Sequence, residues 1–418
     1  MSPATRLTAA GCLATAVAFG PARMGFGLFL PAFRAAFDLS SATAGLIASG
    51  GFLSFLLALL LSAWIGRRFG ERVSVGAGAL GAAAGFALVA AASSGAALAG
   101  GIALAGTSAG LCWAPFNDAA ERVVPAASRA GALSVVSTGT SIGVIAAACI
   151  AWGVAEGLLP WRAAWAGFAG TGVVLAAAAR AGLPPGRGFK PVREAVGDIV
   201  EVGLPSALTP DPSPKIAAAG ARLTQRAAIP LYASALSFGM TNAIFLSFAA
   251  DRVVTAGGLP GLPDADASVV IFLCYGVCGL IGLATGRIEA RLGLAPLLCG
   301  IFAAGAASLI LIALAPTVWS GVVSASGLHG AAIMMASAVF SFWSLRLFPG
   351  RGALGFTATL LCMASGSVAG PALAGLLADA EGPAAMFLAA AGPPFAMALW
   401  FAARLSRPRP RLPSSTLG

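Results

Sequence analysis

About twelve long apolar runs alternate with short gaps along this chain, and nearly every basic residue falls in every second gap. Odd gaps hold Arg34, Arg162 and Arg252. Even gaps and tails hold the rest, among them Arg6, Arg67, Arg68, Arg72, Arg122, Arg129, Arg180, Arg287, Arg291, Arg346, Arg351 and Arg404. This is the positive-inside asymmetry of a polytopic membrane protein, and it predicts that both termini lie in the cytoplasm. Spans of about 20 apolar residues suit helices crossing the hydrocarbon core, whereas barrel strands would alternate polar and apolar residues. With 58% hydrophobic and 10% charged residues and a mean hydropathy of +0.91, the chain departs from soluble domains, which carry roughly 25% charged residues. The net charge of +10 is accounted for by orientation and contact with anionic headgroups. Membrane lipid is therefore an expected partner and nucleic acid is not.

The runs place spans near 8–33, 41–65, 73–93, 96–119, 128–153, 162–182, 228–250, 267–286, 293–315, 317–345, 352–378 and 384–404. The first is too long for the apolar region of a cleaved signal peptide and is expected to remain as a helix. The largest gap divides the spans six and six. The expected organisation is a bundle over 1–183, a Pro-rich cytoplasmic linker over 184–226 with room for a short amphipathic helix near Val192 to Val202, a second bundle over 227–405 and a basic tail over 406–418. All seven cysteines lie in apolar runs, where thiols pack as small hydrophobes. None has partners at metal-ligand spacing, so no metal or cofactor is expected. No G-x-x-x-x-G-K-[ST] loop is present, which argues against ATP hydrolysis. Paired carboxylates and Ser/His/Asp arrangements at a membrane face are likewise missing, which disfavours an enzyme.

The halves echo one another, as internal duplication predicts. Met24 and Phe29-Leu30 answer Met240 and Phe245-Leu246, 216 positions on. Arg68-Phe69-Gly70 answers Arg291-Leu292-Gly293 at 223, and Gly131-Ala132-Leu133 answers Gly352-Ala353-Leu354 at 221. Gly139 and Gly143 answer Gly366 and Gly370 at 227.

With two sets of six spans, a long central loop and a basic turn after the second span of each half, the whole chain resembles the major facilitator superfamily. The resemblance implies an all-α membrane fold of twelve transmembrane helices in two pseudo-symmetric six-helix bundles. The superfamily's loop signature, G-x-x-x-D-R-x-G-R-R, is degraded: Ala63 stands for the Gly and Arg67 for the Asp, followed by Arg68, Phe69, Gly70, Glu71 and Arg72. Glu71 could supply the missing carboxylate. The second copy keeps Gly286 and Arg291 but has Ala290 at the Asp position. The stretch Arg23 to Pro31, and Trp113-Ala114-Pro115-Phe116 followed by Arg129 to Leu133, look like the YbfB/YjiJ kind of bacterial member. The resemblance also implies that spans 1, 4, 7 and 10 line a central cavity and that the protein is a monomer of the bacterial inner membrane.

Arg23 is the only basic residue deep in an apolar run. A mid-helix charge costs roughly 2.5–3.5 kcal/mol on insertion scales, so this side chain must face protein or a watery cavity. It could bind carbonyls freed by a bend at Pro21, or anchor a carboxylate or phosphate through its planar fork. Beside it in sequence stands Phe26. In span 4, Gly106, Gly110, Trp113 and Asn117 recur at helical spacing and form one stripe. Phe238, Thr241, Asn242 and Phe245 form another in span 7. Tyr275 lies too deep for an interfacial anchor, and His329, the only histidine, falls midway along span 10, either bonded between helices or exchanging protons. Asp118, near the cytoplasmic end of span 4, reads as a gate of switching ion pairs with Arg122, Arg129 or Arg351, alongside the loop residues Arg68, Glu71, Arg72 and Arg291, or else as a proton site. The glycine pairs read mainly as close helix packing.

These residues together predict a secondary transporter working by alternating access, with a small organic anion or zwitterion as substrate and coupling to protons or a counter-solute. Proton-coupled efflux of drug-like molecules is the competing transporter reading. Outside transport, a membrane receptor or scaffold would more naturally carry a soluble output domain than a short Pro-rich gap.

Overall fold

The computed structural model describes residues 2–183, 223, 225–348 and 352–405, and all regular structure among them is helical. The linker from Pro184 and the basic tail from Ser406 lie outside the described residues. Eleven helices are long and apolar enough to cross a membrane, and a bent helix at the start makes twelve. The second to seventh spans are Ser41–Phe69, Glu71–Ala90, Gly95–Val123, Ala126–Ala155, Trp161–Gly182 and Ile229–Thr255. The eighth combines Asp264–Gly279, a 3-10 segment Leu280–Ala284 and Thr285–Leu292. Leu294–Leu314, Trp319–Leu347, Gly352–Glu381 and Pro383–Leu405 are the ninth to twelfth.

The first span is made of Pro3–Phe19, Pro21–Leu28 and Leu30–Phe37, and the last piece is turned by 50°. The sequence pointed to Pro21 as the bend. The larger break instead falls at Phe29, two residues before Pro31, whose ring cannot donate to the ladder and clashes with the carbonyl one turn back. Spans 2 and 8 both run on through their basic segments and stop at Gly70 (φ 92, ψ 162) and Gly293 (φ 84, ψ 167). Only glycine enters that backbone region at no steric cost. The matching dihedrals make this echo of Arg68-Phe69-Gly70 in Arg291-Leu292-Gly293 a structural repeat.

The packing partners repeat as well. Span 1 packs on 5 as 7 does on 11, and 2 on 4 as 8 on 10. In the same way 3 contacts 4 and 6, while 9 contacts 10 and 12. The bundles meet where span 2 crosses 11 and span 5 crosses 8. Of the eleven unbroken spans, the seventh is the most enclosed.

The glycine pairs explain how the helices come so close. A Cβ on Gly139 or Gly143 would lie 2.1 Å from the carbonyl oxygens of Cys12 and Ala16, and one on Gly366 or Gly370 would lie 2.2 and 2.7 Å from those of Leu236 and Met240. This register makes Ala16 the counterpart of Met240, an offset of 224, over the part of span 1 that precedes Gly20. The 216-position match read from the sequence falls beyond the break at Gly20, in the following pieces of span 1.

Candidate functional site

Breaks in span 1 on both sides bring the piece Pro21–Leu28 between the halves, against spans 4, 5, 7 and 8. Arg23 points from this piece into a hollow edged by Phe26, Phe52, Phe55, Ile102, Leu246 and Ser247. The hollow offers about 20 Å³ of space open to the centre of a water molecule, room for a water or two. A solute-sized site therefore requires the helices around it to move apart. The guanidinium carbon lies 5.6, 5.5 and 5.1 Å from the ring centres of Phe19, Phe52 and Phe55, within cation–π range. Among the described residues Arg23 makes no hydrogen bond or ion pair, so the carbonyls near the span 1 breaks do not occupy it.

The second half contributes a buried polar cluster close by. The Tyr275 hydroxyl donates to Asn242 Oδ1 at 3.4 Å, near the limit for a hydrogen bond. His329 is stacked on Phe245, with centroids 4.0 Å apart and planes 10° apart, and lies 6.2 Å from the Tyr275 ring. Its Nδ1 is 3.2 Å from Ser308 Oγ, while Nε2 has no hydrogen-bond partner among the described residues. Phe238 instead meets Phe340 edge to face at 5.3 Å. The structure thus brings Arg23 and Phe26 into one hollow and gathers Asn242, Tyr275 and His329 beside it.

The span 4 stripe divides. Gly106 and Gly110 carry its contact with span 2, since a Cβ on either would lie 2.5 Å from backbone atoms of Gly51 or Leu59. The side chains of Trp113, Asn117 and Asp118 lie outside the described residues, as do that of Arg129 and the whole of Arg351. Of the other expected gate residues, Arg72 donates from Nε at 3.0 Å, and from Nη2, to the Leu183 carbonyl within its own bundle. Glu71 is fully buried at the start of span 3, and Arg68 and Arg291 are exposed. Beside Arg291, Arg346 makes a two-pronged contact with Glu289 at 2.7 and 3.2 Å.

A different set of residues fastens the bundles at the face opposite the termini. Arg34 Nε approaches Asp251 Oδ1 to 2.6 Å across spans 1 and 7, a charge contact without hydrogen-bond alignment. The same guanidinium donates to the Leu39 carbonyl at 2.7 Å and to Ser41 Oγ at 2.8 Å. The Asp379 carboxylate at the end of span 11 accepts the amides of Ser41 and Ala42 at 2.8 and 2.9 Å, capping the positive end of span 2. Pro371 interrupts the ladder of span 11, and the next amide, Ala372, is donated across to Ser49 Oγ at 2.9 Å. Between these contacts the backbones touch: a Cβ on Gly27 would fall 1.6 Å from Leu246 O, on Gly45 2.2 Å from Pro371 O, and on Gly375 2.2 Å from Ser41 O. Sequence reasoning missed this seam. Its usable signals were the isolated Arg34 in a gap otherwise poor in basic residues and the lone Asp251 near the end of span 7.

Twelve spans in two equivalent bundles, meeting around a half-buried arginine and fastened at one face, form the architecture of a transporter and an integral membrane protein. The family model described as Major Facilitator Superfamily matches residues 12–345, and the chain belongs to that superfamily. Among solved structures, a variant of the nucleoside transporter NupG is similar with a TM-score of 0.75 at 13% identity, covering 96% of this chain and 99% of that one. The peptide transporter POT in complex with sulfate gives 0.72 at 15% identity, with 96% and 94% covered. A bacterial homologue of the human lysosomal transporter Spinster, inward-facing and unoccupied, gives 0.66 at 16%, with 96% and 95% covered. No curated protein sequence matches the chain.

Proposed function

We propose that the protein is a secondary carrier that moves a small organic anion or zwitterion by alternating access, with Arg23 as the anchor for its negative group. The observation that carries this reading is a guanidinium between two transporter bundles with no hydrogen-bond or ion-pair partner among the described residues. A cation at this depth without a counter-charge is costly even when half-buried, as Arg23 is, and an anionic ligand offsets that cost. The fastened face is the extracytoplasmic one if the basic gaps lie in the cytoplasm, so the described conformation is closed to the outside. Protons or a counter-solute supply the differential binding that drives the cycle, with His329 as the proton candidate.

Uptake of labelled carboxylates into proteoliposomes tests the reading. Arg23→Ala is expected to reduce uptake about tenfold to a hundredfold, since Arg23 is half-buried and the loss of a partly buried charge-assisted pair costs about 1–3 kcal/mol. Arg23→Lys keeps the charge but not the fork, and is expected to retain a small fraction of the activity. Carboxylate transport unchanged in Arg23→Ala would overturn the anchor.

A further inference from the structure

We infer that the transported solute is a monoanion with an apolar body and that the site rejects zwitterions and dianions; this narrows the anion reading above and rests on it. The charge content of the hollow carries the inference. Its described lining holds one cation, Arg23, and one hydroxyl, Ser247, among apolar side chains and glycines. The two lie on spans 1 and 7, which hold corresponding places in the two bundles. Where a site for a zwitterion needs a carboxylate across from its arginine, the second half presents a serine whose hydroxyl has no hydrogen-bond partner among the described residues. None of the described carboxylates lines the hollow: Asp251 is on Arg34, Asp379 on the amides of span 2, Glu289 on Arg346, and Glu71 and Asp266 are buried at the starts of spans 3 and 8.

The phenylalanines complete the argument. Phe19, Phe52 and Phe55 turn toward the guanidinium, and ring faces favour a cation while offering nothing to a second negative charge. An ammonium on the solute would lie close to Arg23 with no anion to separate them. Phe26, Ile102 and Leu246 leave an apolar wall for the remainder of the molecule. A bound monoanion makes the centre neutral, a zwitterion leaves one positive charge and a dianion one negative. An unpaired charge at mid-membrane depth corresponds to roughly a hundredfold in affinity.

One carbon skeleton tests this by isothermal titration of the purified protein in nanodiscs at neutral pH. The probes are 3-phenylpropanoate, L-phenylalanine, which adds an ammonium, benzylmalonate, which adds a carboxylate, and 3-phenylpropanol, which is uncharged. The native protein is expected to bind 3-phenylpropanoate roughly a hundredfold more tightly than the other three, and Arg23→Ala to lose the preference for the acid over the alcohol. Ser247→Asp supplies the missing carboxylate and is expected to move the preference to L-phenylalanine. L-phenylalanine or benzylmalonate bound within tenfold of 3-phenylpropanoate by the native protein would overturn the narrowing, while a preference for acid over alcohol that depends on Arg23 would leave the anion anchor standing. An alcohol bound as tightly as the acid would overturn both, and no binding of 3-phenylpropanoate by a native protein that melts cooperatively would overturn the inference.

Discussion

Asp251→Asn is expected to release the face opposite the termini and raise the accessibility of a cysteine placed at Ser247 by about tenfold to a hundredfold. The pair it breaks joins spans 1 and 7, with Arg34 Nε 2.6 Å from the carboxylate and side-chain exposures of 22% and 5%. Removing one partner of a fully buried pair costs about 3–5 kcal/mol. Arg34 is partly exposed and keeps the Leu39 carbonyl and Ser41 hydroxyl, so about 1–3 kcal/mol is the appropriate scale. This energy is lost only from the state in which the two spans are together, so it appears as a population shift and not as a loss of fold. Labelling with a membrane-impermeant maleimide, applied to the Ser247→Cys variant with the native cysteines replaced, reads the shift directly. Exchanging the charges, Arg34→Asp with Asp251→Arg, is expected to restore slow labelling. Unchanged labelling in Asp251→Asn would remove the pair from the seam's energetics.

The location of this seam shows what the sequence could convey. Membrane class, span number and the six-and-six division were legible because they depend on summed hydropathy and charge, which accumulate over twenty residues at a time. Arg23 was legible because one charge in an apolar run has few physical explanations. The span 1 to span 7 register before Gly20 was not, since the matches at Met24 and Met240 lie beyond that break while the glycines of spans 5 and 11 set an offset of 224 through backbone contact. The seam was not legible either. Arg34 with Asp251, and Asp379 with the amides of Ser41 and Ala42, are more than two hundred positions apart in sequence, and neither residue type nor spacing indicates which charge at a helix end meets which. Ser247 gave no signal at all, because a single serine in an apolar span is ordinary, and only its position opposite Arg23 gives it meaning.

Gly27→Ala and Gly143→Ala are expected to produce opposite kinds of defect from the same added methyl group. A Cβ on Gly143 would lie 2.1 Å from Ala16 O, and one on Gly27 would lie 1.6 Å from Leu246 O. Backbone oxygens cannot rotate away, so in each case two helices must separate, at a cost of about 1–3 kcal/mol for overpacking. The difference is what those helices belong to. Spans 1 and 5 are parts of one bundle and remain packed throughout a rocking motion, so Gly143→Ala weakens that bundle in every state and is expected to lower the melting temperature. Spans 1 and 7 belong to different bundles, so the Gly27 contact exists only while the face opposite the termini is closed. Its variant is expected to melt near the native temperature, to label a cysteine at Ser247 about tenfold to a hundredfold faster, and to turn over slowly because closure has become the unfavourable half of the cycle. Combined with Asp251→Asn, it is expected to add little further labelling once the closed state is already the minor one. Equal melting losses in the two glycine variants, with labelling unchanged in Gly27→Ala, would mean that the halves do not separate along this seam and that the opening motion must be sought elsewhere in the molecule.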